Sequence, residues 1–128
     1  HEASSRLVPY VITSLLNGRE ALLSSGEQVR DFLHVYDVGD AFAHLLDSAA
    51  EGPVNIGSGE PIAVKNVVAM IADTLARPDL VRLGAREGKE APRIVCDVQA
   101  LKEIGWAPQW ALKPGLEKTI EWWKENRA

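Results

Sequence analysis

Ten glycines and seven prolines cut this 128-residue chain into short elements, which rules out long helices and wide strands. Between the breaks, Leu7, Val8, Val11, Ile12, Leu15 and Leu16 recur at helical spacing. Pro9 suits the first helical position and Gly18 the end. Residues 20–24 and 29–36 read as a strand pair, and Gly26 between them makes a hairpin plausible. Asp37 stands as the cap of a second helix carried by Ala41, Phe42, Leu45, Leu46 and Ala49, with Asp40 adding favourable charge in its first turn. "EGP" at 51–53 stops that helix, and "VNIG" follows as a short apolar run around Asn55.

Val64, Val67, Val68, Ile71 and Leu75 mark a third helix, ended by Arg77 and Pro78. "VRLG" at 81–84 and "RIVC" at 93–96 read as strands flanking the polar loop "AREGKEAP", and Asp97 caps a helix that ends at Gly105. "WAPQWALKPG" is a turn-rich connector. The last helix has Pro114 near its start and Leu116, Ile120 and Trp123 on one face. This alternation of short strands and helices is α/β or α+β.

A chain of this length buries roughly two-thirds of its unfolded surface, enough for one domain with a core. No apolar run approaches the ~20 residues needed to span a bilayer. The net charge of −4 argues against a nucleic-acid partner. Cys96 is the one cysteine, so no internal disulfide forms, and its strand-like neighbours make it a small buried hydrophobe. His1, His34 and His44 lack ligand spacing, so no metal site is expected. Sparse cysteine leans cytoplasmic. The chain starts "HEASSRLVP" without Met, so the missing signal peptide carries no meaning.

The stretch "GEQVRDFLHVYDVGDA", 26–41, places an arginine at the entry of a β-type run. As a strand it sets Val29, Asp31, Leu33 and Val35 on one face and Arg30, Phe32, His34 and Tyr36 on the other. The second face is polar and aromatic. It reads either as the wall of a site or as an exposed edge on which Arg30 pairs an acid.

This stretch, with "VNIGSGEPI" and "RIVCDVQALKEIGWAPQWALKPGLEKTIEWW", resembles the C-terminal portion of an extended short-chain dehydrogenase/reductase of the nucleotide-sugar epimerase and dehydratase group. The blocks match that group's G-x-Q-x-R-D-[FYW]-x-x-V-x-D-V, N-x-G-[SG]-G and R-x-x-x-D-x-x-x-x-x-x-L-G-W-x-P in order, with Ile104 at the Leu position. The resemblance implies a small mixed α/β substrate-binding domain of short strands and about five helices over residues 1–128, packed on a Rossmann domain that precedes it. It carries Arg30 and Arg93 onto two arginines that contact the diphosphate of a nucleoside diphosphate sugar. A guanidinium offers paired donors matched to phosphate oxygens and stays charged. Arg6 and Leu7 match a basic-apolar pair bordering the nucleotide, and Val64 an apolar position against the base; for Leu7 and Val64 helix core is the competing reading, and for Arg6 a solvated surface. Asp31 and Asp37 are expected to hold neighbouring backbone.

Two departures stand out. Ala63 occupies a position where the family often has a Ser or Thr that caps the third helix. "LLSSG" lacks the aromatic ring that family members often carry near Ser24. "GSGEP" at 57–61 is no dinucleotide loop, because Ile62 stands where a third Gly is required. Asn55 is expected to satisfy backbone groups.

The resemblance further implies NAD or NADP, bound mainly by an N-terminal domain that this chain lacks, and a Tyr-x-x-x-Lys pair that is also absent: Tyr10 is followed by "VITS" and Tyr36 by "DVGD". The chain is therefore expected to be roughly the last third of an epimerase, 4,6-dehydratase or keto-sugar reductase, carrying substrate-binding but no catalytic residues. Its partners would be the sugar nucleotide, its own N-terminal half and, through exposed apolar surface, other copies. The alternatives are a non-catalytic nucleotide-sugar-binding module and a protein-interaction domain whose arginines are surface charges.

Overall fold

The computed structural model describes residues 3, 5–88 and 91–126; His1, and Lys89 and Glu90 of the expected polar loop, lie outside the described residues. The chain runs α1 (Leu7–Leu16), β1 (Ala21–Leu22), β2 (Val29–Asp31), α2 (Val35–Leu46), β3 (Pro61–Ala63), α3 (Val64–Thr74), a 3-10 turn (Pro78–Leu80), β4 (Val81–Arg82), α4 (Gln99–Glu103) and α5 (Leu112–Glu125). The mixed α/β expectation holds. Pro9 takes the third helical position of α1, where a missing N–H is still harmless because first-turn amides have no intrahelical acceptor.

The periodic apolar faces of α1, α3 and α5 meet in the main core, where Val11, Ile12, Leu15, Val67, Val68, Ile71, Leu116 and Ile120 interdigitate. A smaller cluster of Ala41, Val98, Leu101 and Trp106 joins α2 to α4. Cys96 packs against this second cluster half-buried, not fully enclosed.

The expected hairpin does not form. β1 pairs in parallel with β4, Ala21 opposite Val81. β2 pairs antiparallel with β3, with Arg30 opposite Ile62. The segment between β1 and β2 is instead turned toward the start of α3. There Gly26 O accepts the Lys65 N–H at 2.9 Å and Gln28 O the Val64 N–H at 3.0 Å. These carbonyls meet first-turn amides that the Ala63 side chain leaves uncapped, so the missing hydroxyl is largely made good. Gly26 adopts φ +71°, and a Cβ there would lie 2.8 Å from Lys65 Cβ. Only glycine permits that approach.

β2 is also shorter than expected, ending at Asp31. α2 begins at Val35, capped by His34, whose Nδ1 accepts the Tyr36 N–H at 3.3 Å. Asp37 is therefore not the cap. It lies in the first turn, 1% exposed, and accepts the N–H groups of Gln109 and Trp110, each at 3.0 Å. Asp40 accepts the Trp106 indole N–H at 2.8 Å. Both acids tie α2 to the connector before α5. "RIVC" contributes one isolated bridge, Arg93 with Val29, rather than a strand.

Candidate functional site

Arg30 stands in the middle of β2, half-buried, and its Nη1 donates to the carbonyls of Val29 at 2.8 Å and Ala91 at 2.9 Å. The guanidinium therefore sits against the 91–93 segment. Arg93 is brought close in backbone terms: the Val29 N–H donates to Pro92 O at 2.8 Å and the Ile94 N–H to Val29 O at 3.0 Å. That parallel bridge sets Arg93 in register with Val29, so its Cβ leaves on Val29's face while that of Arg30 leaves on the other. The Arg93 side chain is exposed.

Arg6 is the exposed residue preceding α1, and Leu7, its first residue, packs half-buried against the main core. Val64 is 4% exposed within that core, so helix packing accounts for it. One turn beyond Arg6 and Leu7 on the same helix stands Tyr10. Its hydroxyl accepts the Leu22 N–H at 3.0 Å and lies 3.4 Å from Leu22 O. Arg86 spreads over this ring, its Cζ 5.3 Å from the centroid and its Nη2 donating to the phenol oxygen at 3.4 Å. The Arg86 backbone N–H reaches Leu23 O. Sequence reasoning missed both residues, because a lone arginine in a polar loop reads as a solvated side chain and Tyr10 was weighed only against the Tyr-x-x-x-Lys pattern.

Between the Arg86 loop and β2 lies a hollow of about 220 Å³ lined by Ser24, Ser25, Glu27, Gln28, Gly88 and Pro92. Gln28 Nε2 donates to Ser24 Oγ at 3.2 Å. Glu27, the acid on this rim, is paired with Lys65 at 2.7 Å. A larger hollow, about 430 Å³, is lined by Asp40, Asp47 and His44 along α2. Its carboxylates disfavour an anion. The smaller hollow, with Arg86 in its loop and Arg30 beyond Gln28, is the better match to a phosphate ligand.

The "GSGEP" turn is filled from within the chain. Asp31 Oδ1 accepts from the Ser58 N–H at 2.8 Å and the Ser58 hydroxyl at 2.6 Å, and Oδ2 from the N–H groups of Gly59 at 2.9 Å and Cys96 at 3.2 Å. Burial pushes the Asp31 carboxyl up, but the donors from Ser58, Gly59 and Cys96 outweigh it and hold the group below its ordinary value. A Cβ at Gly57 would lie 2.5 Å from Cys96 Cβ, so this glycine serves internal packing. The amides that could cradle a dinucleotide phosphate are occupied, and these residues do not fit NAD. Burial, then the Asp31 charge and hydrogen bond, raise the Cys96 thiol, which stays protonated. Among the described residues no group of three or more His, Cys, Asp or Glu could hold a metal ion, and no helix is long and apolar enough to cross a membrane.

The fold and these blocks resemble part of the nucleotide-sugar short-chain dehydrogenases/reductases, and comparison with known proteins points the same way. Residues 1–57 match the model of the NAD dependent epimerase/dehydratase family. The chain is 33% identical over 103 residues to a putative GDP-L-fucose synthase 2 of Arabidopsis thaliana, covering 80% of this chain and 31% of that protein. It is 28% identical to the GDP-L-fucose synthase of Escherichia coli K12, covering 99% of this chain and 40% of that protein. Its structure superimposes on a dTDP-glucose 4,6-dehydratase from Bacillus anthracis, solved in complex with NAD, with a TM-score of 0.88 and 26% identity over 98% of this chain and 41% of the other. The chain is thus related to the NAD-dependent epimerase/dehydratase family, among nucleotide-sugar epimerases, dehydratases and reductases. It spans about a third to two-fifths of the length of the curated relatives it matches.

Proposed function

We propose that this chain holds the nucleoside diphosphate of a sugar nucleotide for an NAD(P)-dependent epimerase, 4,6-dehydratase or keto-sugar reductase. What supports this reading is that Arg30 and Arg86 are ordered on the same two segments that contribute Gln28, Gly88 and Pro92 to one hollow. Arg30 is anchored by Ala91 O, and Arg86 is laid across the Tyr10 ring. Each charge-assisted contact to a phosphate supplies about 1.5–3 kcal/mol. Two of them provide a large share of the roughly 8 kcal/mol of micromolar affinity. Arg93 is the weaker candidate because its register directs it to the other face. Arg6 and Leu7, a turn before Tyr10, border the nucleotide in this reading.

The hydride chemistry belongs to a cofactor-bearing unit with its own Tyr-x-x-x-Lys. The docking face for that unit is α2, which exposes Val35 at 69%, Phe42 at 57% and Leu46 at 86% along one stripe. Calorimetric titration with UDP-, dTDP-, CDP- and GDP-sugars tests the binding. One of them binds, and Arg30→Ala and Arg86→Ala each weaken it at least tenfold. Mutants that bind as well as wild type overturn the assignment.

A further inference from the structure

"LLSSG" carries no aromatic ring, but α1 lays one against this segment. Tyr10 reaches β1, where its hydroxyl donates to Leu22 O and accepts from the Leu22 N–H. A phenol has one proton to give, and this one is already committed. Its remaining acceptor capacity meets Arg86 Nη2 at 3.4 Å. These bonds fix the orientation of the ring. The Arg86 guanidinium at 5.3 Å from the ring centroid is within cation–π range. The described arginines Arg77 and Arg82, by contrast, are neutralised by Asp79 and Glu20. Arg86 is held by an uncharged partner, so its charge stays available.

We propose that Tyr10 is a positioning residue that fixes Arg86 for the phosphates of the bound nucleotide. A long arginine side chain on a polar loop otherwise samples many rotamers, and ordering it on binding reduces affinity. A ring pinned to Leu22 orders it beforehand. The inference deepens the proposed function and rests on it.

The test is a double-mutant cycle on the full chain, read by calorimetry with UDP, dTDP, CDP and GDP, each against its own nucleoside. Tyr10→Leu is expected to weaken the binding diphosphate about tenfold, close to the loss in Arg86→Ala. The double variant should be no worse than either single one. Binding of the nucleoside, which has no phosphate, should hardly change. Tyr10→Phe keeps the ring and loses the Leu22 anchor, so it should fall between wild type and Tyr10→Leu. It also guards against a Tyr10→Leu chain that fails to fold, since its thermal melt and its affinity are read on the same sample. Losses that add in the double variant, or that strike nucleoside and diphosphate equally, overturn the positioning role. If Arg30→Ala weakens binding while Arg86→Ala and Tyr10→Phe do not, this inference falls and the nucleotide-binding reading survives. If no diphosphate binds wild type, both fall.

Discussion

The carboxylate of Asp31 lies 2.6 Å from the Ser58 hydroxyl oxygen, joining the end of β2 to the "GSGEP" turn. The same carboxylate takes the backbone N–H groups of Ser58, Gly59 and Cys96. Its folded pKa is lowered from the ordinary 3.8. A lowered carboxyl stabilises the fold fully above its unfolded pKa and loses that contribution as pH falls through the folded value. Thermal melts should therefore show stability falling as pH drops below about 4, with a smaller drop in Asp31→Asn. At neutral pH that variant should be less stable by about 1–3 kcal/mol, since an amide replaces one acceptor oxygen by a donor. An unchanged acid profile in Asp31→Asn would count against this account.

Asp37 is buried with both oxygens occupied by Gln109 and Trp110 amides. Asp37→Ala strands two N–H groups and should cost about 2–4 kcal/mol in urea unfolding, among the larger single-site losses here. Asp37→Asn keeps one acceptor oxygen and should lose less. Equal stability of Asp37→Ala and wild type would refute the tie between α2 and the connector.

Two glycines should respond in opposite directions. Gly26→Ala meets the Lys65 backbone at 2.9 Å from a left-handed conformation, and chemical denaturation should reveal a loss of about 1–3 kcal/mol. Gly39 lies inside α2 with nothing within 4 Å of an added Cβ. Gly39→Ala should stabilise the chain by about 0.5–1 kcal/mol. The opposite sign for either would contradict the packing described.

The stripe Val35, Phe42 and Leu46 leaves apolar surface in water. Sedimentation velocity is expected to show self-association that grows with concentration, and Phe42→Glu should shift the distribution toward monomer. A chain that is monomeric at all concentrations, with or without the substitution, would refute self-association through α2.

Helices were largely legible in the sequence. Apolar spacing at Val11, Ile12 and Leu15, and again at Val67, Val68 and Ile71, set α1 and α3, because a helical face is a local repeat that burial selects. The motif blocks around Arg30, Asn55 and Trp106 likewise carried the family resemblance and the α/β class. Strand pairing was not legible, since two- and three-residue strands such as Ala21–Leu22 and Pro61–Ala63 carry too little pattern to choose a partner. The start of α2 was misplaced because Asp37 has the chemistry of a cap, and its true partners, Gln109 and Trp110, are remote in the chain.

By itself, then, the sequence determined which segments coil, the core faces of the first, third and last helices, and which family the blocks resemble, all properties of local spacing and side-chain type; Phe42 and Leu46, on the apolar pattern of α2, are instead exposed. Only the tertiary structure decided that Arg86 lies on Tyr10, that Arg93 is in register with Val29 instead of Arg30, and that Asp31 fills the glycine turn. Those are contacts between distant segments, fixed when the helices and the short strands close on one another, and no local pattern encodes them.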